Sequence, residues 1–392
     1  MRLLQLLKAR TVVTRRWRGL CSSTAPRPTR GVAWEDSPTI AVAQCPEHPY
    51  DVELALSSDA LELSPACTAA LSSAEDPYSL AKADIEQITT GIMGLMGRNR
   101  AIVSFVEARF AQRGTYAALR PTIALLMADA VGEHVRNGGA DARDDAARRL
   151  ERDDVRRIAS IAEMLHMATR LHSEVTSVQR VDGAASTVSA SPQDKLALLA
   201  GDFLLARASV FLSRIRRVEI VEMLATVLEH LVVSGVDRSP DDDASSDPLE
   251  AVRTNGQRAF YRTASLTAHS CLAAAIVGSG GDDASADELA ERRRAWSAAA
   301  TYGENIGLVV HLEREADAAA AAAAPSSSRG LDVLLDELVV GTEAQPRGVA
   351  AIRRLSRVHA NRAMEALVDG LRPSGSRDAL LRLAHTTATA EE

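Results

Sequence analysis

The chain has 392 residues, of which 46% are hydrophobic and 25% charged, and its formal net charge is −7. This composition is that of a globular protein, and the negative balance argues against a nucleic acid as partner. Aromatic residues make up only 3%, whereas alanine, leucine and arginine are abundant, which favours helices over strands. The four cysteines show no zinc-type spacing.

The first 34 residues are basic, and the first acidic residue is Glu35. Leucines and valines interleave with the bases, and hydroxylated residues follow. This pattern is typical of a mitochondrial transit peptide, whereas Lys8 and Arg10 interrupt the apolar stretch that a secretory signal needs. We therefore predict a transit peptide at residues 1–34 and a location in the mitochondrial matrix. A basic tail without a targeting role is the alternative.

Residues 35–75 are rich in proline, serine and alanine and are predicted to be a linker or disordered arm. Residues 76–392 show helical periodicity and no convincing alternation of strands. The predicted helices cover residues 158–178, 195–211, 218–233, 261–277, 289–312, 348–370 and 376–385. No uninterrupted apolar run reaches the roughly 18 residues that span a bilayer. Any association with the inner mitochondrial membrane would therefore be peripheral.

Two of these helices carry small residues, at 200–208 and 264–275. Small side chains let helices pack closely, either in a core or at a dimer interface. We favour the interface for both segments.

Five segments resemble, in the right order, landmarks of the trans-polyprenyl diphosphate synthases. They are residues 119–121, 161–172, 199–206, 261–266 and 302–308. One such match is weak evidence, but five in order at plausible spacing are specific. The resemblance covers residues 76–392, and it implies an all-α, isoprenoid synthase-type bundle of long helices around a central cavity.

Members of that family ionise an allylic diphosphate, which isopentenyl diphosphate then attacks. Magnesium ions hold the leaving diphosphate, and two D-D-x-x-D motifs on facing helices supply their carboxylate ligands. At the first motif, residues 173–177, only Glu174 keeps a carboxylate. At the second, residues 314–318, Arg314 puts a cation where a ligand belongs, Glu315 remains, and Asp317 is out of register. We therefore expect Glu174 and Glu315 to be remnants of the metal sites, and we expect no catalytic residue.

The family also has basic residues that hold the diphosphate group of isopentenyl diphosphate, and this chain keeps fewer of them. Residues 116–118 contain no base, and Arg120 is the one retained in that motif. Arg262 stands where the family has a lysine, and Thr263 follows it. The resemblance implies residual substrate binding by Arg120, Arg262 and Thr263. Two further acidic clusters, at 241–243 and 282–283, lie among small polar residues and are interpreted as solvated loops.

The pattern of losses resembles one branch of the family, subunit two of the decaprenyl or solanesyl diphosphate synthases of ubiquinone synthesis. Residues 358–367 also resemble that branch. The resemblance implies a non-catalytic subunit that binds no cofactor alone and pairs with an aspartate-complete catalytic subunit, which holds the Mg²⁺. An active divergent synthase that uses Glu174 and Glu315 is the alternative. An isoprenoid-binding or scaffold protein is a third.

Overall fold

The computed structural model describes residues 45–46, 49–50, 62–95, 100–111, 118–136, 145–178, 191–215, 217–236, 247–280, 285–321, 330–338 and 348–389. The predicted leader lies outside this part of the chain, and so do the two acidic clusters at 241–243 and 282–283. All described residues belong to one unit, Pro38–Glu392.

The described residues form helices and contain no strand, which confirms the predicted all-α class. The helices are α1 (Pro65–Ser73), α2 (Pro77–Leu95), α3 (Arg100–Ala111), α4 (Leu119–Arg136), α5 (Asp145–Val178), α6 (Pro192–Ile215), α7 (Val218–Val236), α8 (Pro248–Ala259), α9 (Ser265–Gly278), α10 (Ala286–Ala321), α11 (Leu331–Leu338), α12 (Val349–Gly370) and α13 (Gly375–Thr389). A π-helical turn, Phe260–Ala264, joins α8 to α9.

Helix α9 is the centre of the core. Residues 265–277 are all buried, and the helix packs against α4, α5, α7 and α10. Close approach is possible because small residues meet there: a Cβ atom added to Gly307 of α10 would lie 2.5 Å from the Ala264 Cα. The segment 264–275 is therefore a core segment, and the interface predicted for it is wrong.

Helix α6 lies at the edge of the bundle. Its inner face packs on α5 through small residues such as Gly201, where an added Cβ atom would lie 2.3 Å from His172 Nε2. Its outer side carries Leu198, Leu199 and Val210, which are 39%, 59% and 40% exposed. The small residues of 200–208 thus serve mainly for packing within the chain. The larger apolar residues of α6 are the ones left uncovered.

Helix α7, which follows α6 in the chain, also carries exposed apolar residues. Val218, Val232 and Val233 are 67%, 65% and 43% exposed. We call the exposed side of α6 and α7, made by Leu198, Leu199, Val210, Val218, Val232 and Val233, the edge face. Among the described residues, α6 also passes the length and composition test for a membrane span, although it contains Asp202 and Arg207. A core or interface helix passes the same test, so this finding alone does not place α6 in a membrane.

The segment before residue 76 belongs in part to the helical unit. Ser64 Oγ caps α1 by accepting a hydrogen bond from the Cys67 backbone N–H at 3.2 Å. Cys67 is 0% exposed and packs in the same cluster as α13 residues. The predicted linker at 35–75 is therefore too long at its C-terminal end. At the other end of the chain, α10 continues through the start of the alanine run to Ala321.

Candidate functional site

Arg120 lies in the first turn of α4, directly after a constrained turn. Ala118 has φ = 59°, in the left-handed region that residues other than glycine seldom adopt. Its carbonyl accepts hydrogen bonds from the Thr122 backbone N–H and Oγ1 at 3.0 and 2.9 Å. Pro121 fits here because an N–H in the first turn of a helix has no partner within the helix. These features fix Arg120 in place, and only 5% of the residue is exposed.

The guanidinium of Arg120 lies among charges from α5 and α10. Its pKa is lowered to about 10, chiefly by burial and also by the charges of Arg314 of α10 and Arg170 of α5, whereas Glu163 of α5 acts to raise it. Arg120 Nε is buried and has no hydrogen-bond acceptor in the described part of the chain. A buried cation with an unsatisfied donor is costly unless something compensates it.

The other retained basic residue, Arg262, belongs to the π-helical turn and is exposed, whereas Thr263 beside it is 8% exposed. Arg262 acts on Glu315 of α10: burial raises the pKa of this carboxyl group, and the charge of Arg262 lowers it. Asp332 of α11 raises the same pKa. The charge of Arg262 therefore acts on Glu315, and the Thr263 side chain is buried.

His311 lies one turn before Glu315 on α10. Burial, with the charges of Arg262 and Arg314, lowers its pKa to about 3, so the ring is neutral at pH 7. Its Nε2 atom is buried without a hydrogen-bond partner among the described residues. His311 is therefore affected by the charges of both Arg314 and Arg262.

Glu174 lies near the C-terminal end of α5, at the position of the first aspartate motif. It forms an ion pair with Arg109 of α3, with 2.9 Å between Arg109 Nη2 and Glu174 Oε2. Both side chains are about one-third exposed, at 35% and 36%. The carboxylate that the sequence predicted as a metal remnant therefore faces a cation of its own chain.

The Polyprenyl synthetase family model matches residues 108–309, a little over half of the chain. The chain belongs to the Polyprenyl synthetase family. The match ends before Arg314, so the altered second motif lies beyond it. The predicted family is confirmed, while the assignment to its subunit-two branch goes further than this match.

The chain is similar to curated relatives with long-chain products in their names. Solanesyl-diphosphate synthase 1, mitochondrial, of Oryza sativa subsp. japonica is 27% identical over 341 residues, which are 78% of this chain and 75% of the relative. Decaprenyl-diphosphate synthase subunit 1 of Schizosaccharomyces pombe is 30% identical over 217 residues, which are 51% of this chain and 56% of the relative.

Solved structures share the fold. A decaprenyl diphosphate synthase from Rhodobacter capsulatus has a TM-score of 0.57 at 17% identity, covering 81% of this chain and 98% of that one. A polyprenyl synthase from Caulobacter crescentus CB15, complexed with calcium and isoprenyl diphosphate, has a TM-score of 0.56 at 22% identity, covering 80% of this chain and 97% of that one. At these identities the likeness establishes the isoprenyl diphosphate synthase fold alone.

The carboxylates of this polyprenyl synthetase chain do not fit the magnesium sites that the family motifs would build. Mg²⁺ needs carboxylate oxygens with near-octahedral geometry. Glu174 is paired with Arg109, and Glu315 is flanked by Arg314 and faced by Arg262. Across the described residues, no group of three or more His, Cys, Asp or Glu side chains is arranged to hold a metal ion.

Sequence reasoning missed Arg109, Arg170 and His311 as members of the site. Arg170 precedes Glu174 by one helical turn on α5, so the spacing could have placed it on the same side. Arg109 could not be found this way, because it comes from a separate helix. Glu163 of α5 is also buried, with 4% of the residue exposed.

Proposed function

We propose that the chain is a non-catalytic, regulatory subunit of a heteromeric trans-polyprenyl diphosphate synthase that makes the ubiquinone side chain. One observation carries the proposal: of the motif positions that would ligate metal, only Glu174 and Glu315 keep a carboxylate, because Asp317 is out of register. Glu174 forms an ion pair with Arg109, and the charge of Arg262 acts on Glu315. Two carboxylates so arranged cannot ligate the several magnesium ions that would hold a diphosphate. In this proposal the ionisation step takes place in the partner, which holds the Mg²⁺.

The proposed partner is an aspartate-complete polyprenyl diphosphate synthase chain. The relative from Schizosaccharomyces pombe carries "subunit 1" in its name, which fits a synthase built from more than one kind of chain. The mitochondrial names of several relatives and the basic leader support a mitochondrial location, and we place the complex in the matrix.

The edge face is the surface that we assign to this partner. It has six exposed apolar side chains on two consecutive helices, and the apolar window of α6 is only 33% buried. Exposed apolar patches of this kind mark protein interfaces. A partner of the same fold would present a matching pair of helices, and two such faces would cover each other.

The test compares the mature chain alone with the complex. The purified chain receives an allylic diphosphate, isopentenyl diphosphate and Mg²⁺, and we expect no polyprenyl product above the no-enzyme background. Co-expression with the aspartate-complete partner from the same mitochondria is expected to raise the partner's activity. The partner expressed alone, and the complex with an alanine in the partner's first aspartate motif, are the controls.

Product formation by the chain alone, lost in the Glu315→Gln variant, would establish the divergent-enzyme alternative instead. An unchanged activity of the partner on co-expression, with no complex on gel filtration, would leave the scaffold alternative and contradict our proposal.

A further inference from the structure

We propose that Tyr50, with the residues shortly before it, is a latch that holds α8 and α11 closed over the Glu315 end of α10. Residues 45–46 and 49–50, which we call the N-terminal latch, lie within the predicted linker at 35–75. Tyr50 is nevertheless only 5% exposed, and it belongs to a buried cluster with residues of α8, α10, α11 and α12. The inference concerns this chain alone and does not depend on the subunit role.

The first contact of the N-terminal latch is with α8. The Tyr50 hydroxyl donates a hydrogen bond to Asn255 Oδ1 at 3.3 Å. The next residue of α8, Gly256, is buried against the latch, and an added Cβ atom would lie 3.1 Å from Tyr50 Cδ2 and 3.3 Å from Pro49 Cβ. Both distances are shorter than the optimal separation of two carbon atoms. The latch and α8 therefore pack so closely that a methyl group on Gly256 would press on the tyrosine ring.

The second contact connects the latch to α12, and through α12 to α10. The Tyr50 and His359 rings meet edge to face, with 6.1 Å between their centroids. His359 of α12 is 1% exposed, and its Nδ1 lies 2.8 Å from Asn305 Oδ1 of α10. Because an amide oxygen only accepts, the imidazole donates this hydrogen bond. Tyr50 thus lies against a ring whose orientation is fixed, and it joins α8 to α12.

Helices α8 and α11, which we call the cap, lie at the periphery of the bundle. Helix α8 packs mainly on α11 and on the π-helical turn, and α11 also packs on α12. Leu249 of α8 and Val333 of α11 are 54% and 37% exposed, so the outer side of the cap faces water. Elements with little buried surface open locally at a lower free energy than the core does. The latch adds a link between α8 and α12 to this limited packing.

The cap and the latch meet near Glu315. The charges of Arg262 in the π-helical turn and of Asp332 in α11 both act on the pKa of Glu315. The pKa of Tyr50 is raised well above its usual value, chiefly by burial and also by the charge of Glu315. Groups from the cap, the π-helical turn and the latch therefore surround this carboxyl group. Opening of the cap would expose it to water.

The other end of the latch is held at a separate place on α10. The pKa of Cys45 is raised to about 12, chiefly by burial and also by the charge of Glu304, whereas a hydrogen bond with Tyr261 acts to lower it. Glu304 precedes Glu315 by about three helical turns. The latch is therefore held near both points of α10, and a segment held at two points stays in place better than a tail held at one.

Hydrogen–deuterium exchange of the mature chain tests whether Tyr50 closes the cap. In Tyr50→Ala we expect amide exchange in α8 and α11 to become at least about tenfold faster, while exchange in α9 and α5 stays at the wild-type rate. Tyr78→Ala in α2, where the tyrosine is 36% exposed, is the matched control and should change neither. An equal acceleration in α9 would show that Tyr50 only adds to global stability, and it would overturn the proposal. Unchanged exchange in the cap would overturn it too.

Gly256→Ala tests the same contact from the side of α8 and removes no side chain. Alanine favours a helix more than glycine does, so on propensity alone exchange in α8 should become slower. We expect faster exchange in α8 and α11 instead, because the new methyl group pushes the Tyr50 ring away. Gly94→Ala in α2, where nothing lies within 4 Å of the added Cβ, is the control. Slower exchange of α8 in Gly256→Ala would contradict a tightly held latch.

Labelling of carboxyl groups with a water-soluble carbodiimide and an amine tests whether the latch covers Glu315. Mass spectrometry should show that Glu315 is labelled about fivefold faster or more in Tyr50→Ala than in the wild type, since the open cap admits the reagent. Glu365, at an exposed position of α12, should be labelled at the same rate in both chains. Unchanged labelling of Glu315 would overturn the proposal, even if exchange in the cap became faster.

Discussion

Helices α9 and α6 are both rich in apolar and small residues, yet α9 is buried and α6 is largely exposed. Every residue of 265–277 in α9 is buried, whereas two-thirds of the apolar window of α6 is not buried by its own chain. The difference lies in how the small residues are placed. In α9 they allow neighbours to approach on all sides, and in α6 they lie on the inner face.

The comparison separates what this chain needs for itself from what it offers to others. Helix α9 packs against α4, α5 and α10, and so holds these helices together in the core. The edge face adds little to that packing, and an apolar surface kept in water is explained by a partner. Four predictions test the comparison, and they run from the largest expected effect on stability to the smallest.

The largest effect is expected where α10 meets the start of α9. Gly307→Ala should lower the free energy of unfolding by about 3 kcal/mol, because the new Cβ would lie 2.5 Å from a backbone atom of Ala264. Gly91→Ala in α2, where nothing lies within 4 Å of the added Cβ, is the control and should be neutral or stabilising. Urea unfolding measures both. Equal effects of the two substitutions would contradict the close packing described for α9.

The second effect depends on pH. Burial raises the pKa of Glu304 in α10 to about 7 from a value of 4.5, so the folded chain keeps this proton where the unfolded chain has lost it. Stability from this group is therefore highest below pH 4.5 and falls as pH rises toward 7. Glu304→Gln should be more stable than the wild type at pH 8, by roughly 1 to 3 kcal/mol, with little difference near pH 4.5.

The control for this prediction is Glu365→Gln, at an exposed position of α12. Its unfolding free energy should follow the wild type at both pH values. If the unfolding free energy of Glu304→Gln depended on pH as that of the wild type does, the Glu304 carboxyl group would have to be solvated.

The third effect is a single buried hydrogen bond. Tyr302 of α10 is 0% exposed, and its hydroxyl donates to the Leu380 carbonyl of α13 at 2.9 Å. Tyr302→Phe should cost about 1 kcal/mol, because a buried carbonyl loses its donor. Tyr78→Phe in α2, where the residue is 36% exposed, should leave the free energy of unfolding nearly unchanged. Thermal unfolding measures both variants. A neutral Tyr302→Phe would show that water replaces the hydroxyl.

The smallest effect on stability is expected at the edge face. Leu199→Gln should change the unfolding free energy by less than about 0.5 kcal/mol, as exposed substitutions do, while weakening the complex with the catalytic partner about tenfold. Leu80→Gln in α2, which is 42% exposed in the wild type, is the control and should leave the complex intact. Gel filtration or surface plasmon resonance measures the association with the partner. If both variants bound the partner equally well, the assignment of the edge face would be contradicted.

The fold could be predicted largely from the sequence, because helical periodicity and segment order are local properties. The predicted helices at 195–211 and 218–233 match α6 and α7 within a few residues. The π-helical turn at 260–264 was predicted only as part of a helix at 261–277, and its last residue packs closely against Gly307. The helix at Pro65–Ser73 was missed because short segments gain their stability from the core and not from their own sequence.

Only part of the candidate site could be predicted, namely the family residues that the motifs have lost or kept. The missing aspartates and the retained Arg120 were visible in the motifs. The ion pair of Glu174 with Arg109, and the approach of Arg170 and Arg314 to Arg120, join helices far apart in the chain. No spacing rule reports such contacts. The same limit applies to the small residues of α9, whose burial depends on neighbours that periodicity cannot identify.

The most direct test of the central claim is the steady-state kcat of the purified complex in which this chain carries Glu174→Gln and Glu315→Gln. A non-catalytic subunit predicts that kcat stays within about twofold of the wild-type complex, while the equivalent substitutions in the partner's aspartate motifs abolish it. A loss of about a hundredfold or more from the substitutions in this chain would show that its carboxylates take part in metal-assisted catalysis.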